Sequence, residues 1–410
     1  MKARYQYRIY PTNQQCKDLA RLFGCVRVVW NDALSLCKKS VSEAGERTRS
    51  TKLPSNGDLQ KICITQAKKT KEREWLSEVS NIPLQQSIAD LGVAFSNFFA
   101  SRKGKRKGPK INPPKFKKRT NQQSARFRKG GFSIKARQVF LAKIGCIKTK
   151  WSRPLPSEPS SVTVIKDTAR RYFLSFVVEI QPEIKSAQNK AVGIDLGIKL
   201  FAALSSGEKA PSPSYSQLDR KIRRTQRKLS RRQKDSKRRE RMRLRVAKLK
   251  AKLRDTRKDF LHKLSTKVVI ENQVIALEDL NVSGLLKNRK LSRAISQAGW
   301  REFRTMCEAK SEKFGRDFVV ISRWEPTSQI CSDCGYRWGK LDLKVREIVC
   351  LNCGILHDRD DNASKNIEQV GVGHIHDSKR AGRECKTSFE AIPDELPTHL
   401  EYEQLSLFDC

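Results

Sequence analysis

Two segments, AVGIDLG at residues 191–197 and VIALED at residues 274–279, decide the fold. Each begins as an apolar run with the length of a buried β-strand and brings a carboxylate, Asp195 or Glu278, to the end of that run. Gly197 follows the first acid closely, so a ligand backbone can approach there. The two segments therefore predict buried strands that present acidic side chains at the edge of a sheet.

A third acid comes from the segment HDRDDNA at residues 357–363. Ala363, Ile367 and Val370 follow at helical spacing, which puts Asp360 or Asp361 at the start of a helix. Converging carboxylates repel one another unless divalent cations neutralise them, and an all-oxygen ligand set suits Mg²⁺ or Mn²⁺. Two such ions, roughly 3.5–4 Å apart, stabilise both the attacking and the leaving oxygen in phosphodiester hydrolysis. A single acid of this kind is more typical of a solvated surface, so the hypothesis depends on all three.

Four of the twelve cysteines have the spacing of a metal site. Cys331-x₂-Cys334 and Cys350-x₂-Cys353 match a Cys₄ zinc ribbon, and a glycine after each second cysteine favours the tight turn that presents both thiolates. Four thiolates close the coordination shell, so the predicted zinc is structural. The other cysteines are scattered, and without a secretory signal a disulfide framework is not expected.

The charge predicts a polyanionic partner, because 85 Lys and Arg outnumber 43 Asp and Glu and give a net charge of +42. Residues 220–258 hold a large share of the Lys and Arg, and an apolar stripe through Met242, Val246, Leu249 and Leu253 predicts one long helix there. We interpret its basic face as a nucleic-acid surface, with a solvated coiled-coil helix as the alternative. The sequence shows no signal peptide and no apolar run of membrane-spanning length, so we expect a soluble protein of the cytoplasm or nucleoid.

The first half of the chain mixes strands and helices. Residues 4–10 alternate like a strand that Pro11-Thr12 ends and caps, and helical patterns follow over residues 19–37, with a break at Gly24, and over residues 57–100. The basic stretch at residues 101–120 is rich in Gly and Pro and predicts a loop.

Short β-like runs then occupy the region from residue 131 to residue 181. They predict an antiparallel β domain that the first strand joins, and a polar linker at residues 181–190 follows it. The composition of residues 371–410 changes towards His, Gly, Pro and acidic residues, and we expect a largely disordered tail there.

The motifs resemble the TnpB (OrfB) family, which is encoded by prokaryotic insertion sequences and related to type V CRISPR effectors. The resemblance covers about residues 1 to 370. The matching segments are RIYP (8–11), RVVWN (27–31), GIDLG (193–197), LEDLN (277–281), WREF (300–303), PTS (326–328), CSDCG (331–335), CG (353–354) and DRDDNA (358–363).

The resemblance implies a RuvC active site of Asp195, Glu278 and Asp360. The family pattern Asp-Arg-Asp-x-Asn-Ala makes Asp361 the variable residue and therefore the second choice for the third acid. Ser364 stands where the family often has alanine, a change we expect to be tolerated.

The implied fold is α+β and multidomain, with an RNase H-like (RuvC) α/β nuclease domain and an inserted Cys₄ zinc ribbon. An antiparallel, β-barrel-like WED domain with an inserted helical REC-like domain comes before it. The predicted boundaries are 1–10 and 119–182 for the WED-like domain, 11–118 for the REC-like domain, 190–325 and 355–370 for the nuclease, and 326–354 for the ribbon.

The implied function is RNA-guided, Mg²⁺-dependent cleavage of double-stranded DNA beside a short target-adjacent motif, with a guide RNA transcribed from the transposon end. Three alternatives stay open at this point. They are a DNA-strand-transfer transposase, an RNA-guided DNA-binding regulator without nuclease activity, and an RNA-binding protein unrelated to DNA.

Overall fold

The computed structural model describes residues 1–45, 53–106, 110–186, 188, 190–342 and 344–380. The chain divides into two compact units, Met1–Ile180 and Gln181–Cys410. In the described part of the chain, no helix is both long and apolar enough to cross a membrane.

The first unit contains a seven-stranded sheet with the order β2-β6-β7-β1-β5-β4-β3, in which every neighbouring pair is antiparallel. The prediction that the first strand joins a later β domain is confirmed, because β1 lies between β7 and β5. The strands are β1 (Lys2–Ile9), β2 (Gln123–Arg128), β3 (Phe132–Lys135), β4 (Gln138–Leu141), β5 (Gly145–Lys150), β6 (Ser161–Lys166) and β7 (Tyr172–Glu179).

Helix α1 (Asn13–Gly45) follows the first strand. Thr12 and Gln15 form a reciprocal capping box before it, since each side chain accepts a hydrogen bond from the other's backbone N–H, as the predicted cap requires. The predicted break at Gly24 is wrong, because the helix continues through it. A glycine within a helix costs only about 1 kcal/mol, and its buried neighbours Phe23 and Cys25 hold the helix against the core.

The second predicted helical stretch is less regular than its pattern indicates. Helix α2 (Asn56–Gln60) passes into a π-helical turn at Lys61–Gln66 and two 3₁₀ turns at Ala67–Lys69 and Glu74–Glu78. Helix α3 (Asn81–Arg102) completes the region.

The helices and the sheet of the first unit share one hydrophobic core, which includes Leu22, Leu84, Phe127 and Phe176. The pairing order is open, with β2 and β3 at its ends, but the sheet curls on itself, since the Phe132 ring of β3 lies 6.4 Å from the Phe176 ring of β7. The barrel-like domain stays a prediction. The curled sheet buries apolar side chains against its own strands as well as against α1 and α3.

The second unit is built around a five-stranded sheet with the order β10-β9-β8-β11-β12. Strands β8, β11 and β12 are parallel to one another, and β9 is antiparallel to β8 and to β10. The strands are β8 (Ala191–Leu196), β9 (Leu200–Leu204), β10 (Lys209–Pro211), β11 (Val274–Glu278) and β12 (Asp317–Ile321).

The basic region forms two helices, α4 (Ser216–Ser230) and α5 (Lys237–Glu271). The predicted long helix is confirmed as α5, which carries the whole apolar stripe, but it does not extend back to residue 220. Asp235 adopts a left-handed φ of 64°, and the hydroxyl of Ser236 accepts a hydrogen bond from the Arg239 N–H as a new N-cap. Residues 230–241 contain no apolar side chain, so the apolar stripe that begins at Met242 lies wholly within α5. The following helices are α6 (Val282–Leu285), α7 (Ser292–Ala298), α8 (Trp300–Phe314) and α9 (Arg359–Arg380).

Helix α9 lies directly against strands β8 and β11 at two glycines. A Cβ at Gly193 would overlap the Ser364 carbonyl oxygen, and one at Gly371 would overlap the side chain of Ala276. The prediction of a disordered tail from residue 371 is wrong over residues 371–380, which continue the helix. Residues 381–410, the rest of that prediction, lie outside the described residues.

Candidate active site

Asp195 and Glu278 lie on adjacent parallel strands. Ile194 on β8 pairs with Leu277 on β11, so the next residue of each strand is one of the two acids. Because β8 continues to Leu196, Asp195 lies inside its strand instead of just beyond it. Parallel strands bring their carboxyl ends to the same edge of a sheet, so the register puts both acids at that edge.

Helix α9 contributes Asp360 in its first turn. Asp358 caps this helix, since its Oδ1 accepts hydrogen bonds from the N–H groups of Asp360 and Asp361 at 2.9 and 3.2 Å. The close packing of α9 on Gly193, two residues before Asp195, brings the start of the helix to the sheet edge.

The electrostatics indicate that Asp195, Glu278 and Asp360, here called the carboxylate cluster, lie near one another. Burial, followed by the charge of Asp360, raises the pKa of Asp195 to about 6. Burial, followed by the charge of Asp195, raises the pKa of Glu278 to about 7. Two neighbouring carboxyl groups with pKa values near neutrality favour a counter-cation, because ionisation of one beside the other is electrostatically unfavourable.

Basic side chains contact the acidic residues at the start of α9 and just before it. Arg346 donates to Asp360 at 3.1 Å, and Lys209 on β10 contacts Asp358 at 2.9 Å and Asp361 at 3.1 Å. Asp361 therefore faces Lys209, and the acid whose charge raises the pKa of Asp195 is Asp360. This difference favours Asp360 over its neighbour as the third acid of the site.

The four predicted zinc ligands, here called the cysteine cluster, come together. All four Sγ atoms lie within 4.8 Å of one another, with Cys331 to Cys353 at 3.7 Å and Cys334 to Cys350 at 3.5 Å. These separations are far above the roughly 2.05 Å of a disulfide. They are close to the edge of roughly 3.8 Å in a tetrahedron whose Zn–S bonds are about 2.3 Å. The residues present therefore fit a tetrahedral zinc ion.

Backbone N–H groups shape the two thiol-bearing turns. Gly335 donates to the Cys331 carbonyl and Gly354 to the Cys350 carbonyl, and both glycines adopt a left-handed φ, as the sequence predicts. A hydrogen bond from the Tyr336 backbone lowers the pKa of the Cys334 thiol to about 6, which favours the thiolate that a metal needs.

The cysteine cluster is joined to helix α9 by side chains whose role the sequence did not indicate. His357 Nε2 lies 3.1 Å from Cys331 Sγ. The buried side chain of Asn362 accepts from the Ser332 N–H at 2.8 Å and donates to the Ile330 carbonyl at 2.8 Å, and Asn366 donates to the same carbonyl. The module that holds the thiols therefore fixes the helix that carries Asp360.

A short hairpin makes the same connection through the backbone. Strand β13 (Glu347–Val349) pairs with β14 (Leu356–Asp358), which leads directly into α9. The hairpin thus crosses residue 354, the predicted boundary between ribbon and nuclease domain, which stays a prediction. Ser364, the departure from the family pattern, is fully buried and donates to the Asp361 carbonyl at 2.8 Å, which explains why a hydroxyl fits there.

Arg346 and Lys209 are further site residues that sequence reasoning missed. Each is one of many cations in a basic chain, so neither composition nor spacing could distinguish it. Only the folded positions of β10 and of the β13–β14 hairpin bring them to the acids.

Three family models match successive parts of the chain. The OrfB helix-turn-helix model matches residues 1–46, where this structure has one strand and one helix. The OrfB model of IS605 elements, described as "Probable transposase", matches residues 175–289, and the TNB domain of Cas12f1-like proteins matches residues 300–367.

Curated relatives match most of the chain. A Streptomyces pristinaespiralis protein named "Putative RNA-guided DNA endonuclease" is 44% identical over 377 residues, 91% of this chain and 90% of the relative. InsQ of Escherichia coli K12, with the same description, is 27% identical over 90% of this chain and 92% of its own length.

Solved structures share the fold at low identity. The Cas12f1 chain in a complex with sgRNA and target DNA aligns with a TM-score of 0.50 and 14% identity, covering 87% of this chain and 82% of that one. The mini RNA-guided endonuclease Cas_phi3 aligns with a TM-score of 0.52 and 9% identity, covering 91% and 92%. These likenesses show a Cas12f1-like α+β multidomain fold, and the match to the Streptomyces relative shows that the chain belongs to the TnpB (OrfB) family of IS605-type elements.

Proposed function

We propose that this protein is an RNA-guided DNA endonuclease of a transposable element and that it hydrolyses DNA at the carboxylate cluster. The observation that supports the proposal is the parallel register that brings Asp195 and Glu278 to one sheet edge, where burial and then a neighbouring acid, Asp360 for Asp195 and Asp195 for Glu278, raise their pKa values. The descriptions of the Streptomyces and E. coli relatives support RNA guidance and DNA as the substrate.

The topology of the second unit supports an RNase H-like, RuvC-type assignment. Its sheet has an antiparallel β8–β9–β10 hairpin arrangement on one side and parallel strands β11 and β12 on the other. The acids lie on the central strand β8, its parallel neighbour β11 and the helix that crosses both. In this assignment the cysteine cluster is a zinc ribbon within the nuclease domain.

The carboxylate cluster would hold Mg²⁺ or Mn²⁺, and the cysteine cluster would hold Zn²⁺. The acids fit a hard cation because their side chains offer oxygen ligands, and a bound cation would compete with Arg346 for the oxygens of Asp360. When bound, the divalent cation supplies charge stabilisation to the phosphodiester undergoing hydrolysis. The chain's own contribution is to hold three carboxylates on rigid elements at one sheet edge.

Guide RNA and target DNA are the proposed partners, in line with the Cas12f1 complex, which contains sgRNA and target DNA. In such systems base pairing reads the target, and the protein reads a short adjacent motif and the shape of the duplex. We propose that the guide is transcribed from the transposon end and that the WED-like and REC-like parts of the first unit hold it. Helices α4 and α5 supply many exposed cations for phosphate contacts, including Arg223, Arg227 and Arg238.

The test is to purify the protein from its native host, sequence the RNA that accompanies it, and offer the complex a DNA duplex matching that RNA. We expect Mg²⁺-dependent cleavage of matched duplex only. Joining of transposon ends without RNA would instead establish a transposase, and tight binding of matched DNA without cleavage in Mg²⁺ would establish a nuclease-inactive regulator.

A further inference from the structure

The exposed indole of Trp324 is the feature that the proposed function leaves unexplained. Its side chain is 85% exposed, although the other five tryptophans, all in the described part of the chain, are buried or half-buried. Large aromatic side chains left in water are unusual away from binding surfaces, because burial of one contributes substantially to stability.

Contacts of its neighbours connect Trp324 to the strand end beside Glu278. Its neighbour Arg323 forms an ion pair with Asp279, the residue after Glu278, and Arg304 on α8 contacts the same carboxylate at 2.7 Å. The backbone N–H of Asp279 also donates to the carbonyl of Ile321, the last residue of β12. The segment that carries Trp324 is therefore tied to the strand end that carries Glu278.

The segment after β12 is anchored on its far side as well. The Thr327 carbonyl accepts from Asn366 of α9 at 2.7 Å, and Thr327 itself is buried. Between the anchors, the N–H of Trp324 donates to the Ser322 hydroxyl, and the N–H of Glu325 donates to the Ser322 carbonyl. The indole is thus exposed on a turn that is fixed at both ends, which lowers the entropic cost of binding a ligand there.

We propose that Trp324 stacks on an unpaired base of the DNA strand that enters the carboxylate cluster and so positions the phosphate to be cleaved. This inference rests on the proposed nuclease function. An indole face stacks on any nucleobase, but only on one that is not already within a duplex. Pairing of one DNA strand with a guide leaves the other strand unpaired, so a suitable base is available in the proposed reaction. Trp324 is in this sense a positioning residue.

The experiment uses the RNA-loaded full-length protein and a target whose displaced strand is already open, with single abasic sites placed at successive positions of that strand. Wild-type protein should lose cleavage rate at one or two adjacent positions, by roughly 5- to 100-fold, the range expected for one base–aromatic stack. Trp324→Ala should show a similar loss on the intact strand and no further loss at those positions. Trp324→Phe should restore most of the rate and the positional dependence.

Ile184→Ala is the matched control, because Ile184 is also largely exposed, at 80%, and lies outside the proposed machinery. It should behave as wild type. The proposal is overturned if Trp324→Ala cleaves at the wild-type rate, if it keeps the wild-type dependence on abasic position, or if its main effect is a changed association state, which would assign the indole to a protein contact.

A binding measurement separates this inference from the proposed function. Dissociation constants for the same abasic strands, measured with the RNA-loaded protein in chelator, should show the same positional dependence for wild type and none for Trp324→Ala. If the wild-type complex binds with that pattern yet never cleaves matched DNA, the nuclease proposal fails and stacking by Trp324 stands. If binding shows no positional dependence, the stacking proposal fails.

Discussion

The carboxylate cluster and the cysteine cluster are two candidate metal sites that differ in how close together their ligand atoms lie. The four thiols are within 4.8 Å of one another, but the three carboxylates are not among the described side-chain groups that meet this limit. Thiols can approach as neutral groups, but ionised acids repel and turn to other cations, as Asp360 does with Arg346. The fold therefore sets the positions of the thiols, whereas we expect a bound cation to bring the carboxylate oxygens closer together.

The largest expected effect is the loss of cleavage when an acid of the carboxylate cluster is replaced. Asp195→Asn keeps the shape of the side chain and removes its charge, so we expect cleavage by the RNA-loaded protein to fall about a thousand-fold or more. Binding of matched DNA should stay within a few-fold of wild type. An equal loss of binding and cleavage would contradict a catalytic role and indicate a structural one.

Loss of the zinc ion should come next, because zinc binding to such sites contributes about 10–16 kcal/mol of folding free energy. Cys334→Ser should lower the zinc content well below one ion per chain, lower the unfolding temperature, and reduce cleavage because α9 loses its support. The control is Cys146→Ser, an exposed cysteine outside the cluster. Elemental analysis and thermal unfolding measure both variants, and an unchanged zinc content in Cys334→Ser would refute the Cys₄ site.

A comparison of Asp360 with Asp361 tests which acid of α9 belongs to the carboxylate cluster. Asp360→Asn should reduce cleavage by about a hundred-fold or more, since it removes a ligand. Asp361→Asn should change it by less than about five-fold, because Asp361 contacts Lys209. Rates measured side by side in Mg²⁺ decide this, and the reverse order would move the site by one residue.

The connection between the two clusters can be weakened without removing any ligand. Asn362→Ala deletes hydrogen bonds to Ser332 and Ile330 and leaves buried partners unsatisfied, so it should destabilise the protein by about 1–3 kcal/mol. Zinc content should stay at one ion per chain, and cleavage should fall several-fold. Full activity in this variant would show that the ribbon does not position Asp360.

The smallest expected effect is the change of unfolding temperature with pH in the absence of metal. The pKa values of Asp195 and Glu278 are raised above those of the unfolded chain, so their contribution to stability is complete below about pH 4. That contribution is lost as the pH rises through the folded values of about 6 and about 7. Unfolding temperatures in chelator should therefore fall over this window, and fall less in Asp195→Asn.

Addition of Mg²⁺ should raise the unfolding temperature at neutral pH, because the cation binds the ionised acids. A metal-free stability that rises between pH 5 and pH 8 by the same amount in wild type and Asp195→Asn would show that the acids do not interact as the structure indicates. The cysteine cluster, whose ligands are assembled by the fold, should show no comparable response to Mg²⁺.

The sequence by itself determined the features that depend on local pattern. Apolar runs that end on acids predicted strands β8 and β11. The cysteine spacing and the glycines that follow predicted two tight, thiol-bearing turns, where Gly335 and Gly354 have a left-handed backbone. These features succeed because a strand, a turn or a capping box is specified by residues that are near one another in the chain.

Only the tertiary structure decided features that join distant residues. The fit of α9 on Gly193, the contact of Arg346 with Asp360, and the link from Asn362 to the ribbon all connect segments that no local pattern relates. Burial likewise overrode local signals, as when helix α1 continued through Gly24 because its neighbours pack into the core. The three acids of the carboxylate cluster stay a prediction from the sequence and the family resemblance. What holds Asp360 beside Asp195 depends on helix α9, whose packing is fixed by contacts made only in the folded chain.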